Sequence, residues 1–382
     1  MPPFPFTAEL VVERYLSGVR IDTFLARHFR NYTPWKLQRI VAAGQVKLDG
    51  NTVEIAERVY QGDTVSIGLI EPPDKVHRPQ PLPVDIVYED AWLIVVDKPP
   101  GQIVHPAGDL QTGTLCNALQ HHFDQQTAWP GLLRPGIVHR LDRMTSGLIV
   151  VAKEHLAHRQ LSIQFQQERI SKSYLALVEG VLADQRGTID VPIGTSPEAG
   201  SVLMSCSPEA GDRRPSRTDY EVLARGPENT LVRARPRTGR NHQIRLHLAE
   251  IGHPVVGDEF YGPYGAIKLS KAEYKALCAR RTDLHRAGQK LGQTLGTNGE
   301  STDDVEADEP TGRHALHAHR LEFVHPILGG RVTFESPLPA DISGLVREFQ
   351  VNGSDDADIS KESVSLGAAR PVRVGRSTAK VE

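Results

Sequence analysis

The sequence predicts an α+β fold, in which a large domain built on a largely antiparallel mixed sheet follows a small α/β module. Three observations lead there. Short runs with strand-like alternation outnumber segments of helical period, the two kinds do not alternate regularly, and a proline-rich stretch separates the first 70 residues from the rest.

The small module is expected over residues 16–70. In RIDTFLARHF the apolar residues Ile21, Phe24, Leu25 and Phe29 recur at helical spacing. Leu37, Ile40 and Val41 repeat the pattern in PWKLQRIVAAGQV, with Pro34 at the start and Gly44 near the end. QVKLDG and DTVSIG then read as short strands, with Asp49-Gly50 as a hairpin signal. EPPDKVHRPQPLP has no period and is read as a linker over 71–83. The large domain is expected over 84–350, with strands in DAWLIVVDK, SGLIVVAKE, SYLALVEG, DYEVLAR, NTLVRARP and GRVTFES and helices in HLAHRQLSIQFQQER and NHQIRLHLAEIG. A low-complexity insertion at 288–311 and a disordered tail at 351–382 are the remaining expectations.

Composition narrows the class. With 39% hydrophobic and 24% charged residues the chain reads as globular, and no apolar run reaches the length of a membrane-spanning helix. The N-terminus carries no secretion signal pattern, and the three scattered cysteines form no CxxC pair, so a reducing cytoplasm is the expected home. The net charge of -3 conceals a basic body. Arg20, Arg27, Arg30, Lys36, Arg39 and Lys47 meet one acid, Asp22, and the stretch Arg233 to Arg245 holds five arginines and no acid. Part of the opposing charge lies in DDVEADE, inside the insertion, and in Asp355 to Asp358, inside the tail.

One segment stands out for chemistry. GIVHRLDRMTSGLIVVAKE places His139, Arg140, Asp142 and Arg143 between two apolar runs. Two readings fit: a surface turn, or a carboxylate held at a cleft with cations beside it. In TGRNHQIRLHLAEIGHPVVGD, Arg245 adjoins Ile244 near the buried side of a helix, where a cation needs a carboxylate partner, and Asp142 is the candidate. Tyr174 stands on one face of the strand SYLALVEG, as core or as site.

These segments, taken in order, carry a resemblance. RPGIVHRLDRMTSGLIVVAKE, KSYLALVEG, TGRNHQIRLHLAEIGHPVVGDEFYG and RHALHAHRLEFVHP resemble the successive motifs of the RluA-type pseudouridine synthases. DAWLIVVDKPPGQIVHPAG and GTLCNAL match that family's opening. RIDTFLARHF through YQGDTVSI is similar to the S4-like RNA-binding domain that many members carry. The resemblance spans about Leu16 to Phe349 apart from the insertion, and implies isomerisation of uridine to pseudouridine in RNA without a cofactor. Large-subunit ribosomal RNA is the favoured partner and transfer RNA the alternative; a non-catalytic RNA-binding assembly factor is the rival of another class.

What the resemblance implies for residues is specific. Asp142 matches the family's catalytic aspartate, as nucleophile or as base; Arg245 matches its arginine partner, and Tyr174 the tyrosine that packs on the target base. An isomerase that must keep its leaving group and exclude water is suited to one carboxylate, where a glycosidase uses two. His139, Arg140, Arg237, Arg240, His242, Lys36 and Arg39 are assigned to RNA contact, and base flipping is expected. The chain departs from the pattern at Thr33-Pro34-Trp35-Lys36, at Arg143-Met144 and at Asn241. A metal site in RHALHAHR lacks a ligand set, a kinase reading of HRLD lacks its companion motifs, and a monomer is expected.

Overall fold

A computed structural model describes residues 7–30, 32–42, 44–68, 77–108, 110–126, 133–197, 203–269, 273, 313–346 and 349–351. The insertion at 288–311, residues 71–76 of the linker and the tail from 352 lie outside these described residues.

The small unit packs two helices on a short sheet. The helices are α1 (Ile21–His28) and α2 (Pro34–Ala42), and the strands are β1 (Thr7–Val11), β2 (Val46–Leu48), β3 (Asn51–Thr52) and β4 (Thr64–Gly68). Ile21, Phe24, Leu25, Leu37, Ile40 and Val41 form its core with Val46, Val65 and Ile67, so the helical spacing in the sequence marks the buried faces. Asp49 and Gly50 both have positive φ (48° and 84°), as a two-residue hairpin turn between β2 and β3 requires. The strand order is β1-β4-β2-β3. Strand β1 lies ahead of the expected boundary at Leu16: paired antiparallel to β4 from Thr7 onward, it belongs to this sheet, and its lone five-residue span gives too little alternation to be read from sequence.

The large unit is built on a sheet of 11 strands among the described residues. Its strands are β5 (Asp85–Glu89), β6 (Leu93–Lys98), β7 (Gly136–Ile137), β8 (Ser146–Ala152), β9 (Ser171–Glu179) and β10 (Arg186–Asp190). After a small separate sheet of β11 (Ile193–Thr195), β12 (Met204–Ser205) and β13 (Gly211–Arg214) come β14 (Arg217–Arg225), β15 (Asn229–Pro236), β16 (Leu316–Val324), β17 (Arg331–Glu335) and β18 (Gln350–Val351). The main path is β10-β14-β15-β9-β16-β8-β6-β5, with β17 on β16, β18 on β14 and β7 on β8. Every pairing is antiparallel except β16 with β8, so the predicted α+β, largely antiparallel architecture describes this domain. Val351, expected in the tail, is the last residue of β18.

Helices cover the sheet where its strands are apolar on both sides. Strand β8 is buried along its whole length. Leu148, Val150 and Ala152 pack with α4 (His155–Gln166) through Ala157 and Leu161, while Ile149 and Val151 pack with α3 (Leu115–Asp124) through Leu115, Leu119 and Phe123. A continuous apolar run is therefore required, and each such side chain contributes roughly 1.5–3 kcal/mol. Helix α3 starts at a capping box in which Thr114 and Asn117 satisfy each other's amides. Helix α5 (Gln243–Glu250) lays Ile244 and Leu248 on β9 and β15, and the short α6 (Ala340–Ser343) adds Ile342 to that core.

Gly147 lets β8 and β16 run side by side. Its φ is +110°, and a Cβ there would lie 2.4 Å from the Ala318 carbonyl oxygen, so no other residue fits without moving the strand. The close approach brings the segment leading into β16 against the loop that precedes β8.

Candidate active site

The loop between β7 and β8 carries HRLDRMT and is held from several sides. Lys98, fully buried at the end of β6, donates from Nζ to the carbonyls of Pro99 (2.8 Å), Gln102 (3.0 Å) and Arg143 (3.1 Å). Burial pulls its pKa down to about 7, which the nearby Asp142 charge opposes. The Gly101 amide donates to the Arg143 carbonyl, and Arg143 Nε returns a bond to the Gly101 carbonyl, both at 2.9 Å. On the far side Arg313 donates to the Met144 carbonyl (3.1 Å), and Thr145 Oγ1 pairs with His314 Nε2 (2.8 Å). With its backbone satisfied in this way, the loop is a fixed platform.

Asp142 projects from that platform to Arg245 on α5. Arg245 Nη1 donates to Asp142 Oδ2 at 3.2 Å, while Nε and Nη2 donate to Asp258 Oδ2 (2.6 Å) and Oδ1 (2.8 Å). The Arg245 side chain is 3% exposed, Asp258 0% and Asp142 24%. Phe260 and Tyr261 flank the guanidinium, with ring centroids 5.0 and 5.2 Å from it. Burial raises the Arg245 cost of charge, but the Asp258 charge and hydrogen bonds, helped by Asp142, more than offset it and push its pKa up. Asp258 is ionised against its own burial by Arg245 and by bonds such as that from the Phe260 amide.

Asp142 is ionised for related reasons. Burial opposes its charge, yet the neighbouring His242, Arg245 and His314, with the Arg245 hydrogen bond, hold its carboxyl well below the usual carboxylate range. His242 and His314 are themselves lowered by burial to about 4 and about 3, so the lasting cation beside Asp142 is Arg245. Tyr174, on β9, faces the same space; burial and then the Asp142 charge push its phenol up, and it stays protonated. The cleft that Asp142, Tyr174 and Arg245 line has a volume of about 570 Å³, with Ile170, Leu316 and Phe165 as apolar walls. The cleft thus joins the Asp142 carboxylate and the Tyr174 phenol to a rim that carries Arg140, Arg237, Arg240 and Lys172 together with Glu168, a rim suited to a polyanionic partner.

Comparison with known proteins bears on this geometry. The family model for RNA pseudouridylate synthase matches residues 92–250, which hold the loop, β9 and α5. An uncharacterized RNA pseudouridine synthase, YlyB, from Bacillus subtilis is 35% identical over 334 residues, 87% of this chain and 95% of that protein. Ribosomal large subunit pseudouridine synthase D from Nitrosomonas europaea is 36% identical over 346 residues, 90% of this chain and 88% of that one. Among solved structures, human RNA pseudouridylate synthase domain containing 1 is 25% identical, with a TM-score of 0.48 over 76% of this chain and 97% of its own.

The chain belongs to the RluA-like family of RNA pseudouridine synthases. It is an isomerase that converts uridine to pseudouridine in RNA.

The synthase places the sequence-predicted residues unevenly. Asp142, Tyr174 and Arg245 converge on one cleft, as do Arg140, Arg237, Arg240 and His242. His139 also lines the cleft, with its ring tied back to the scaffold. Its Nε2 accepts the Val150 amide at 3.0 Å and the ring stacks on Phe165, 4.6 Å away, while burial lowers its pKa to about 3. Imidazole here splices the loop to β8. Lys36 does not stand out from its helix: it is 8% exposed, with Nζ 5.7 Å from the Tyr32 ring centre, because helical phase turns it toward the small core and leaves Trp35, 65% exposed, outside. Arg39 lies in α2, with its side chain outside the described residues.

The arginine-rich stretch is also less free than its composition suggests. Strand β14 supplies acids opposite it: Glu221 lies 3.6 Å from Arg233 and 3.4 Å from Arg235, and Asp219 accepts from Arg237 at 2.7 Å. Arg240 donates from Nε to the Pro215 carbonyl (3.1 Å), and Arg140 Nη2 donates to Asn241 Oδ1 (2.8 Å) across the mouth of the cleft. The histidines of RHALHAHR go separate ways, His314 to Thr145, His317 to Ser146 and His319 to the Ser336 carbonyl. Lys98, Asp258, Phe260 and Tyr261 escaped sequence reasoning. The signal for Asp258 was present, as the acid that closes the segment beginning TGRNHQIR.

Proposed function

We propose that this synthase isomerises uridines of large-subunit ribosomal RNA, flipping the target nucleotide into the 570 Å³ cleft and using Asp142 as its one reacting carboxylate. The observation that carries the reading is the ionised Asp142 carboxylate, open to the cleft while its guanidinium partner is locked from behind by Asp258. Asp142 acts at the sugar carbon or the uracil ring, Arg245 fixes its direction, and Tyr174 packs on the base. Arg140, Arg240 and Arg237 meet the backbone at the rim. The choice of ribosomal RNA is supported by the name of the Nitrosomonas europaea relative.

The small unit at residues 7–68 is read as an S4-like RNA-binding domain, supported by its two helices with basic segments and its hairpin. This reading leaves Lys36, which is 8% exposed, out of the RNA face. The large unit from residue 84 is the catalytic domain, and the enzyme works as a cytoplasmic monomer. Pseudouridine mapping of total RNA tests this account, comparing a strain lacking the gene with the same strain carrying wild-type or Asp142→Asn protein. Sites in large-subunit ribosomal RNA should vanish on deletion and return only with the wild type. Restoration by Asp142→Asn would refute the role of the carboxylate, and sites confined to transfer RNA would refute the substrate.

A further inference from the structure

Tyr261 and His242 form a unit that the reading above does not use. The Tyr261 side chain is fully buried. Its hydroxyl oxygen accepts the Met204 amide at 3.2 Å and lies 2.6 Å from His242 Nδ1. A hydroxyl has one proton to give, and among the described residues the only acceptor within reach is that Nδ1. Nδ1 therefore carries no proton, and the imidazole holds its hydrogen on Nε2.

The ring is fixed in place as well as in tautomer. It stacks on Phe260 (6.1 Å, 26°) and meets Tyr261 edge-on (5.7 Å, 66°). The His242 backbone sits in the left-handed region, φ 55° and ψ 18°, at the N-cap of α5, a conformation kept only when its surroundings enforce it. Among the described residues Nε2 makes no hydrogen bond, and the ring lines both the main cleft and a second cavity of about 340 Å³, which meet at Asp142. Burial, with Arg245 and Arg140, outweighs the pull of Asp142 and Asp258 and lowers the imidazole pKa to about 4, so the donor is neutral.

We infer that His242 donates a hydrogen bond from Nε2 to a carbonyl oxygen of the uracil ring while the ring is detached from the sugar, with Tyr261 as the positioning residue that sets the tautomer. The inference rests on the cleft around Asp142 being the reaction site. When the N1–C1′ bond breaks, its electron pair leaves with uracil and spreads from N1 onto the carbonyl oxygens. The ring turns, C5 uses the pair to bond C1′, the C5 hydrogen departs as a proton and N1 gains one, so nothing is added or lost overall. Asp142 is ionised and has no hydrogen to give, and the bonded N–H groups of Arg245 point at two aspartates. A neutral imidazole stabilises the negative ring but surrenders its proton far less readily than an imidazolium, so N1 is not quenched before C5 reacts.

The test uses single-turnover reactions on total RNA, labelled with tritium at C5 of uridine, from a strain lacking the enzyme. Tritium release gives the rate, and its dependence on enzyme concentration gives the RNA affinity. His242→Leu and His242→Gln carry the same backbone cost, but only glutamine offers an amide N–H to the cleft. The expected result is a rate about 100-fold lower for His242→Leu at unchanged affinity, with at least about tenfold recovered by His242→Gln. Tyr261→Phe, which frees Nδ1 to take the proton, should lower the rate about tenfold at unchanged affinity. A wild-type rate in His242→Leu or Tyr261→Phe, a loss confined to affinity, or equal rates for folded leucine and glutamine variants would each overturn the inference. Asp142→Asn in the same assay separates it from the broader reading: activity there condemns the carboxylate role whatever His242 does.

Discussion

Arg245 joins two carboxylates that live in different surroundings. Asp258 is fully buried, takes both Nε and Nη2, and also accepts the amides of Phe260 and Tyr261. Asp142 is 24% exposed and takes one longer contact, 3.2 Å, from Nη1. Asp258 accepts four hydrogen bonds, three on Oδ1 and one on Oδ2, whereas Asp142 accepts one, on Oδ2, and among the described residues its Oδ1 has no partner. One guanidinium can therefore be anchored at its back and present a charged, aligned but unsaturated carboxylate at its front. On the proposed function, the comparison gives stability to one aspartate and chemistry to the other.

That division sets the size and kind of each expected effect. Asp142→Asn should lower pseudouridine formation by on the order of 10⁴-fold while urea unfolding and RNA affinity stay close to wild type. Asp258→Asn should instead cost about 3–5 kcal/mol in urea unfolding, since it leaves the buried Arg245 cation with only its longer contact to Asp142, with activity lost as the fold weakens. Gly147→Ala belongs with Asp258 rather than Asp142: a Cβ forced against the Ala318 backbone should cost about 3 kcal/mol and loosen the loop from behind.

At the rim the effects should be smaller. Arg140→Ala should weaken RNA binding about tenfold, or about 1.4 kcal/mol, and lower the salt slope by about one. Arg237→Ala should change it far less, because Asp219 already balances that charge.

A pH series sharpens the contrast between buried and reactive groups. His139, His242, His314 and His317 are held neutral by burial, at about 3, 4, 3 and 4, against an ordinary value of 6.5. Their depressed values mean that the unfolded chain binds more protons below pH 6.5. Stability is then fully present above that pH and declines as pH falls toward about 3–4. The urea midpoint should fall between pH 7 and pH 5, before ordinary carboxylates titrate; a constant midpoint would contradict the burial of these rings.

Much of this was legible in the sequence, and the gaps have physical causes. Helical period located α1, α2 and α5, and apolar runs located β6 and β8, because those patterns are what burial requires. The join between Asp142 and Arg245 followed from a cation placed beside Ile244 on a buried face. Strand β16 was missed as a strand because its inward His317 satisfies Ser146 and so masks the alternation. Lys98 carried no site signal in the sequence, since its three carbonyl partners come from a backbone path that no local pattern encodes. The arginines of β15 looked unpaired for the same reason: their acids sit across a strand pairing, on β14.

The central claim is that one arginine divides anchoring from reaction between two aspartates, and it is tested most directly by single-turnover pseudouridine formation and urea unfolding of Asp142→Asn and Asp258→Asn side by side. The account predicts an inactive protein of wild-type stability for the first and a destabilised protein for the second. Pseudouridine formed at the wild-type rate by Asp142→Asn, or wild-type stability in Asp258→Asn, would contradict it.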